Sequence, residues 1–483
     1  MKKIIIIGGG ITGLAAAHRF TELSKEAAAD FDVTVMEASS RLGGTIQTEH
    51  RDEFLLEYGP DSFISEKPEA LELIKRLGLE SQLIETNKDY RRSFIVRNGR
   101  LCPVPEGFQL LGPSRLWPFV TSDIFSWTGK ARMALDLLLP RGNIRQDIDE
   151  SLAQFVRRRL GREALERMAQ PMVGGIYTAD PERLSLRATM PRFLEMERTD
   201  RSVILAMMKR ASTQNKSETN GTSGARYSLF LSFVRGMQTL VDELSARLPR
   251  ASVQLDAKVA SLRLDRISGG WWISTESGVT ISADAICLAL PTYVAAPLLQ
   301  KTDPKLSAEL ESITYASTAT VNLAYQRRDL PHHLEGFGFV VPFIEKRSLM
   351  ACTFSSIKFP GRAPNGFVLL RAFVGGALQP DMFALDEAEM LQRVQADLRE
   401  LLGIEKAPLF SKVTRWPRSM PQYEIGHLDR VQRIDNHLTQ LPTLKLSGNA
   451  YRGAGIPDCI RSGEKAAEEL ASCLKATGSS QYS

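Results

Sequence analysis

The feature that most constrains this chain lies in its first thirteen residues. Lys2-Lys3-Ile4-Ile5-Ile6-Ile7 is a short β-branched run without polar alternation, the pattern of a parallel-sheet strand buried on both faces. It ends in Gly8-Gly9-Gly10-Ile11-Thr12-Gly13, which satisfies G-x-G-x-x-G at Gly8, Gly10 and Gly13. In this pattern Gly8 permits the tight turn and Gly10 lets a pyrophosphate approach the backbone. Gly13 lets the next helix sit close to the strand. Leu14 to Phe20 continues as a helix with a small-residue face, whose N-terminal amides and dipole would face that pyrophosphate. The motif alone leaves the dinucleotide open, and an ordinary NAD-dependent enzyme is compatible with it. A basic pair before an apolar run also imitates a secretory leader, but three consecutive glycines break this one.

The next thirty residues narrow the choice. Phe31 to Met36 reads as a second strand ending in Glu37, near the spacing at which an acid meets a ribose hydroxyl pair. An acid there disfavours a 2′-phosphate, which speaks against NADP. Arg41-Leu42-Gly43-Gly44-Thr45 follows. An Arg-x-Gly-Gly after the acidic strand end resembles the flavoprotein superfamily that includes amine oxidases, phytoene desaturases and protoporphyrinogen oxidases. That resemblance implies FAD in place of nicotinamide.

Length and composition set the outer bounds. A chain of 483 residues exceeds one core and should form two or three domains. No uninterrupted apolar segment is long enough to span a bilayer. A net charge of +5 suits anionic partners such as carboxylate-bearing substrates or lipid headgroups, and it is no nucleic-acid footprint. Cys102, Cys287, Cys352, Cys459 and Cys473 are scattered, odd in number and without C-x-x-C, which points to a reducing compartment without disulfides or structural zinc. The histidines offer no metal-ligand spacing, and His332-His333 after Pro331 reads as a solvated loop.

The expected fold class is α/β: a discontinuous Rossmann-like FAD-binding domain with an α+β substrate domain and a helical subdomain. Residues 1–65, 226–295 and 411–483 are assigned to the nucleotide domain. Its later parts comprise a helix from Leu240 to Leu248, strands at Val253–Asp256, Val259–Leu264 and Gly270–Ser274, and one buried strand over Ala283–Pro291. Leu444 to Asn449 is a further strand, leading through Gly453-Ala454-Gly455-Ile456-Pro457-Asp458 to a helix from about Cys459 to Lys475. Residues 66–100 and 296–410 are assigned to the substrate domain. Ala319–Tyr325, Gly336–Val341 and Gly366–Phe373 alternate there like half-buried antiparallel strands. Residues 101–225 are helical, with Trp117, Phe119, Phe125, Trp127 and Arg157-Arg158-Arg159 dispersed along them. These suit either a membrane-surface patch or solvated arginines on an ordinary subdomain. Ser212 to Gly224 reads as a flexible loop.

Four further segments are more specific: Glu57 to Phe63, Gly174 to Pro181, Thr414 to Tyr423, and Gly455 to Ile460. Each resembles the matching segment of the bacterial porphyrinogen oxidases, which make protoporphyrin IX or coproporphyrin III, and the resemblance runs in the same order from residue 3 to about residue 470. It implies that Gly8, Gly9, Gly10, Ile11, Thr12, Gly13, Glu37, Ala38, Arg41, Gly43, Gly44, Thr45, Gly59, Pro60, Asp61 and Ser62 hold FAD. Val259 would touch the adenine side, with Trp416, Gly448, Gly455, Ile456 and Pro457 near the flavin. Lys67 stands where this family places a cation for a substrate propionate, and Gly175, Ile176 and Tyr177 would line the macrocycle pocket. On the residues alone, Lys67 is equally a solvated side chain before a helix opening at Pro68.

The resemblance further implies a six-electron oxidation in which hydride passes to the flavin and oxygen is reduced to hydrogen peroxide. No catalytic acid or base stands out. Expected partners are a propionate-bearing tetrapyrrole, molecular oxygen and neighbouring haem-pathway enzymes. The chain is expected in the cytoplasm, monomeric or homodimeric, free or peripheral at the inner membrane face. Similarity to the soluble Gram-positive type favours coproporphyrinogen III over protoporphyrinogen IX. The main rival is an amine oxidase of the same superfamily. Many of those attach FAD through a cysteine at the C-terminal flavin strand, whereas Ser447-Gly448-Asn449-Ala450-Tyr451 has none, so attachment here should be noncovalent. A carotenoid desaturase lacks a matching C-terminal pattern, and a mere flavin carrier would not need the second insertion.

Overall fold

The computed structural model describes residues 1–27, 30–109, 112–142, 149–214, 230–249 and 252–479. A five-stranded parallel sheet runs in the order Val253–Gln254, Phe31–Met36, Lys2–Ile7, Ala285–Leu288, Leu444–Leu446. Lys2–Ile7 is its centre, and Ile4, Ile5 and Ile6 are fully buried because both faces are covered. Ile4 and Ile6 pack into a core shared with the helices Ile11–Ala27 and Ile456–Ser479. Ile5 and Ile7 face the opposite core, which includes Ala295, Leu299 and Leu306. The chain departs from this central strand to Phe31–Met36 on one side and Ala285–Leu288 on the other, which makes its carboxyl end a topological switch point.

Three local expectations need correcting. The single strand expected over Ala283–Pro291 divides at Asp284. Thr280–Ala283 joins an antiparallel sheet with Trp271–Thr275 and Val259–Leu264, while Ala285–Leu288 joins the parallel sheet. Asp284 accepts from the Lys3 amide at 2.7 Å and Lys2 Nζ at 3.1 Å, so its carboxylate satisfies the opening of the central strand and cannot continue a buried run. The C-terminal helix opens at Ile456, three residues before the expected start, because Pro457 is tolerated in a first helical turn. His332 is half-buried rather than solvated, with Phe94 and Phe354 beside its ring and Nδ1 accepting from the Leu334 amide.

The second layer is a seven-stranded sheet: Phe410–Pro421, Tyr315–Gln326, Phe367–Gly375, Ala351–Phe354, Gly338–Val340, Phe94–Arg97, Arg100–Pro103. Val321, Leu323, Leu370 and Ala372 point from one face into a core closed by the helix Glu387–Leu402. The other face meets the nucleotide half. Phe410–Pro421 pairs along Tyr315–Gln326, so the boundary expected at 410/411 cuts into this sheet. Pro417 disguised the strand, and an edge position is where a strand tolerates proline. Helices between Leu116 and Gln214 form a third body around Phe155, Met168, Phe193 and Met207. Its last helix runs to Gln214, past the expected start of the loop at Ser212, and residues 215–224 lie outside the described residues. Among the described residues no helix is long and apolar enough to cross a membrane.

Candidate active site

The glycines at the switch point divide into those that close contacts and those that leave space. Gly8 has φ of +110°, and a Cβ there would lie 2.4 Å from the Ala289 carbonyl oxygen. A Cβ at Gly13 would lie 1.9 Å from the Gly8 carbonyl oxygen, so only glycine holds the helix Ile11–Ala27 this close to the strand. Gly10 is open: the nearest atom to a Cβ there is the Gly44 Cα at 4.0 Å. That opening lies over a helix N-terminus, where backbone amides favour an anion. The Gly43 amide donates to the Gly9 carbonyl at 2.8 Å, which brings the Arg41–Thr45 loop against the first glycine turn. Glu37 Oε2 accepts from the Gly9 amide at 2.7 Å, and Oε1 accepts from the amide and hydroxyl of Ser39. A carboxylate has about four lone-pair directions, so Glu37 can still accept from a hydroxyl pair. Arg41 turns back onto its own loop and donates to the carbonyls of Leu42, Gly44 and Ile46. Ala38 and Thr45 are exposed at the rim, whereas Ile11 and Thr12 are buried. Val259 stands two residues beyond Ala257, whose amide donates to the Glu37 carbonyl.

The Glu57–Ser62 segment forms the joint between the two sheets. A Cβ at Gly59 would lie 1.7 Å from the Thr45 carbonyl oxygen, so this turn rests directly on the Arg41–Thr45 loop. From the opposite side the seven-stranded sheet supplies side-chain donors. Asn322 Nδ2 donates to the Glu57 carbonyl at 3.2 Å, and Thr320 Oγ1 and Trp416 Nε1 each donate to the Tyr58 carbonyl at 2.9 Å. Arg371 Nη2 donates to the Gly59 carbonyl. Asp61 accepts from Lys358 Nζ at 3.0 and 3.1 Å and from Ser62 Oγ at 2.7 Å, with Arg371 Nη1 at 3.9 Å. Burial opposes its charge, but Lys358 and Arg371 overcome this and hold the carboxyl well below the usual range. Glu57 is different. Burial pushes its carboxyl up to about 7, against the hydrogen bonds from Thr48 Oγ1 and the Met237 amide.

The C-terminal loop closes the third side. Gly448 has φ of +133°, nothing within 4 Å of a Cβ position, and an amide that donates to Ser462 Oγ. Ile456 and Pro457 occupy the first turn of the last helix, which packs against the first helix so closely that a Cβ at Gly463 would lie 2.2 Å from the Thr12 carbonyl oxygen. Asp458, buried behind Gly455, accepts from the Gly455 amide, from Arg461, and from Lys67 Nζ at 2.6 and 2.7 Å. Lys67 therefore stands beside the C-terminal loop, half-exposed yet ion-paired to the buried Asp458. Gly175, Ile176 and Tyr177 form the last turn of the helix Gln170–Tyr177, which Thr178 ends in the left-handed region at φ of 50°. Tyr177 lies 6.3 Å from Tyr423, centroid to centroid. The Tyr423 hydroxyl donates to the Asn449 carbonyl at 2.6 Å and accepts from the Gly453 amide at 2.8 Å. Beyond Ala179 a cleft of about 330 Å³ opens between Thr314–Ser317, Gly376–Ala377 and Gln422–Glu424.

At Gly10 the nearest atom to a Cβ position is 4.0 Å away and at Gly448 none lies within 4 Å, so a group could approach the backbone at both turns. A family model described as flavin containing amine oxidoreductase matches residues 11–471. The chain belongs to that family. Its cofactor is a flavin. Coproporphyrinogen III oxidase of Bacillus subtilis (strain 168) is 36% identical over 474 residues, 98% of each chain. The chloroplastic protoporphyrinogen oxidase of Nicotiana tabacum is 30% identical, over 97% of this chain and 85% of the relative. A crystal structure assigned to a protoporphyrinogen oxidase of Exiguobacterium sp. 255-15 superposes with a TM-score of 0.85 at 32% identity, over 97% of this chain and 99% of that one.

Sequence reasoning missed Lys358, Arg371, Asp458, Tyr423 and Gly463. Asp458 and Tyr423 sat inside segments already singled out and lacked only a partner. Gly463 offered a signal, an isolated glycine eight residues into a helical pattern. Arg371 offered another, a lone charge in the apolar run Val368 to Val374. Lys358 offered none.

Proposed function

We propose that this chain is an FAD-dependent, oxygen-using porphyrinogen oxidase of haem biosynthesis, oxidising coproporphyrinogen III to coproporphyrin III and releasing hydrogen peroxide. The observation that carries this reading is similarity along the whole chain to two kinds of porphyrinogen oxidase. Coproporphyrinogen III is preferred because the oxidase acting on it gives the higher identity. Protoporphyrinogen IX is the second reading.

The FAD is held without a covalent link. The thiol beside the C-terminal strand is Cys287, fully buried with its Sγ 3.3 Å from Ser447 Oγ, and burial pushes it up to about 11. Burial pushes the Cys459 thiol up to about 11 as well. Neither is a nucleophile at neutral pH. A bound flavin supplies the two-electron acceptor for each oxidation step, and the chain's own residues bind and orient. Gly8–Gly13 and Gly43–Thr45 approach the pyrophosphate, Glu37 takes the ribose, and Val259 flanks the adenine. Gly59–Ser62, Trp416, Gly448 and Gly455–Pro457 surround the ring system. Lys67 has three N–H donors, two directed at Asp458, so one remains for a propionate. Gly175, Ile176 and Tyr177 offer a macrocycle wall.

What supports a peripheral membrane contact is the surface of the helical body. Leu116, Trp117, Val120, Trp127, Leu135 and Leu138 are all exposed between residues 116 and 138, with Trp117 at 76% and Trp127 at 73%. Trp127, Leu135 and Leu138 recur at helical spacing on one exposed side. Lys130 lies over the Trp127 ring and donates to the Val120 carbonyl, joining the two helices' apolar residues. A bilayer surface is the matching partner, because tryptophans at the rim of an apolar face suit the headgroup boundary.

The deciding experiment mixes purified holoprotein with freshly reduced coproporphyrinogen III or protoporphyrinogen IX in air and follows porphyrin fluorescence and peroxide. The expected result is oxidation well above the blank, faster with coproporphyrinogen III. Lys67→Ala should raise KM about tenfold with kcat little changed, as loss of a uniformly binding cation does. Failure to oxidise either porphyrinogen, with flavin reduction by simple amines instead, would overturn the reading in favour of an amine oxidase.

A further inference from the structure

The clamp on the Glu57–Gly59 carbonyls contains one member whose chemistry hydrogen bonding alone does not explain. Thr320, Asn322 and Trp416 are neutral donors. Arg371 brings a full positive charge to the same row, and it is buried. Burying a cation costs several kcal/mol unless it is fully paired. Its pairing is incomplete. The nearest carboxylate is Asp61 at 3.9 Å, which is more tightly held by Lys358 at 3.0 Å, and Arg371 Nε is buried without a hydrogen-bond partner among the described residues. Asn or Gln would satisfy the Gly59 carbonyl without this cost.

The surroundings deepen the imbalance. Arg362 is also buried, and its guanidinium donates to the Ser232 hydroxyl and the Phe233 and Val234 carbonyls rather than to a carboxylate. Among the described residues, the acids facing Lys358, Arg362 and Arg371 are two, Asp61 and Glu57. With both ionised the group carries one net positive charge, and with Glu57 protonated it carries two. Arg362 and Arg371 are buried, and Lys358 and Asp61 are only slightly exposed, so solvent screens these charges little. The species that would gain from a positive wall is one that accumulates negative charge at this turn.

We propose that Arg371, with Lys358, is a positioning residue that holds excess positive charge against the flavin and favours its reduced state. This rests on the flavin lying along the Gly59–Ser62 turn. A guanidinium cannot lose its proton in a protein, so the bias is permanent, and Asp61 moderates it without cancelling it. The arrangement would ease withdrawal of an electron pair from a porphyrinogen and would not by itself touch the substrate.

The test is the two-electron midpoint potential of bound FAD, measured against reference dyes in the holoprotein, for the wild type, Arg371→Met, Arg371→Lys and Lys358→Met. No porphyrinogen is needed, so the outcome is independent of which substrate the enzyme takes. Arg371→Met is expected to lower the reduced-to-oxidised ratio at fixed dye potential at least tenfold, about 30 mV for a two-electron couple. Arg371→Lys should recover most of that, and Lys358→Met should shift the midpoint in the same direction. If Arg371→Met weakens FAD retention or melting but leaves the midpoint unmoved, Arg371 is a mechanical clamp and the proposal falls, while the porphyrinogen reading stands. If Arg371→Met fails to fold, an unmoved midpoint in Lys358→Met overturns it equally.

Discussion

The two sheets meet the Glu57–Ser62 segment with opposite chemistry. On the nucleotide side contact is made by missing atoms: Gly59 has no room for a Cβ against Thr45, and Gly13 none against Gly8. On the other side contact is made by added ones, the donors of Thr320, Asn322, Arg371 and Trp416. A backbone-built surface requires glycine at fixed offsets and so writes a motif. A side-chain-built surface needs only some donor at a given place on a strand, and many residue types serve.

The comparison breaks most visibly at the glycines, which are expected to fail in two different ways. In Gly59→Ala the new Cβ would sit 1.7 Å from a backbone oxygen, and no rotamer relieves that clash. The joint must open, with a loss of roughly 3 kcal/mol or more and release of the flavin. Gly10→Ala should fold normally, since its nearest neighbour is 4.0 Å away, yet lose FAD because the methyl fills the space a pyrophosphate needs. Melting temperature together with the flavin-to-protein absorbance ratio separates the two. A Gly10→Ala protein that retains flavin at the wild-type level would remove Gly10 from the flavin site.

A smaller effect is expected from the acid at the joint, and it depends on pH. The Glu57 carboxyl is raised by burial from 4.5 to about 7, so the folded state binds more protons than the unfolded state between those values. Stability contributed at this position therefore falls as pH rises through that window. The full cost, roughly 3 kcal/mol, is present above pH 7. Glu57→Gln should melt like the wild type near pH 5 and above it at pH 8. A difference that does not change with pH would assign the effect to lost hydrogen bonds from Thr48 and Met237. His427 tilts the acid side the other way. Burial pushes its imidazole down to about 4, so its neutral stacking on Tyr423 is disfavoured as pH falls from 6.5 toward 4.

This contrast explains what could be read before the structure. The α/β class and the central strand follow from glycine offsets and an unbroken isoleucine run. The antiparallel strands were visible from alternation. The boundary near 410 was not, because Pro417 masks an edge strand. Asp284 was likewise invisible as a divider, since its role depends on a partner 281 residues away in sequence. The Lys67–Asp458 pair spans 391 residues, and neither residue predicts the other. Long-range side-chain pairing is set by topology, so the donors packed on Glu57–Ser62 stayed hidden while the glycine turns did not.

The smallest effect on stability and turnover is expected at the surface farthest from this joint in character. Trp117 and Trp127 are more than 70% exposed, so replacing both by Ser removes little buried area and should change stability by no more than about 0.5 kcal/mol. On vesicles containing anionic lipid the expected change is large. The wild type should co-sediment and the double variant should not, because insertion of exposed aromatic and leucine side chains would supply the binding energy. Equal co-sedimentation of the two proteins would remove the bilayer from the reading. So would a concentration-dependent dimer abolished by the same substitutions, since the face would then be covered by a second copy of the chain. A positive result would put a difference in kind between the bodies: the two sheets carry the reaction, while the helical body decides where in the cell it is carried out.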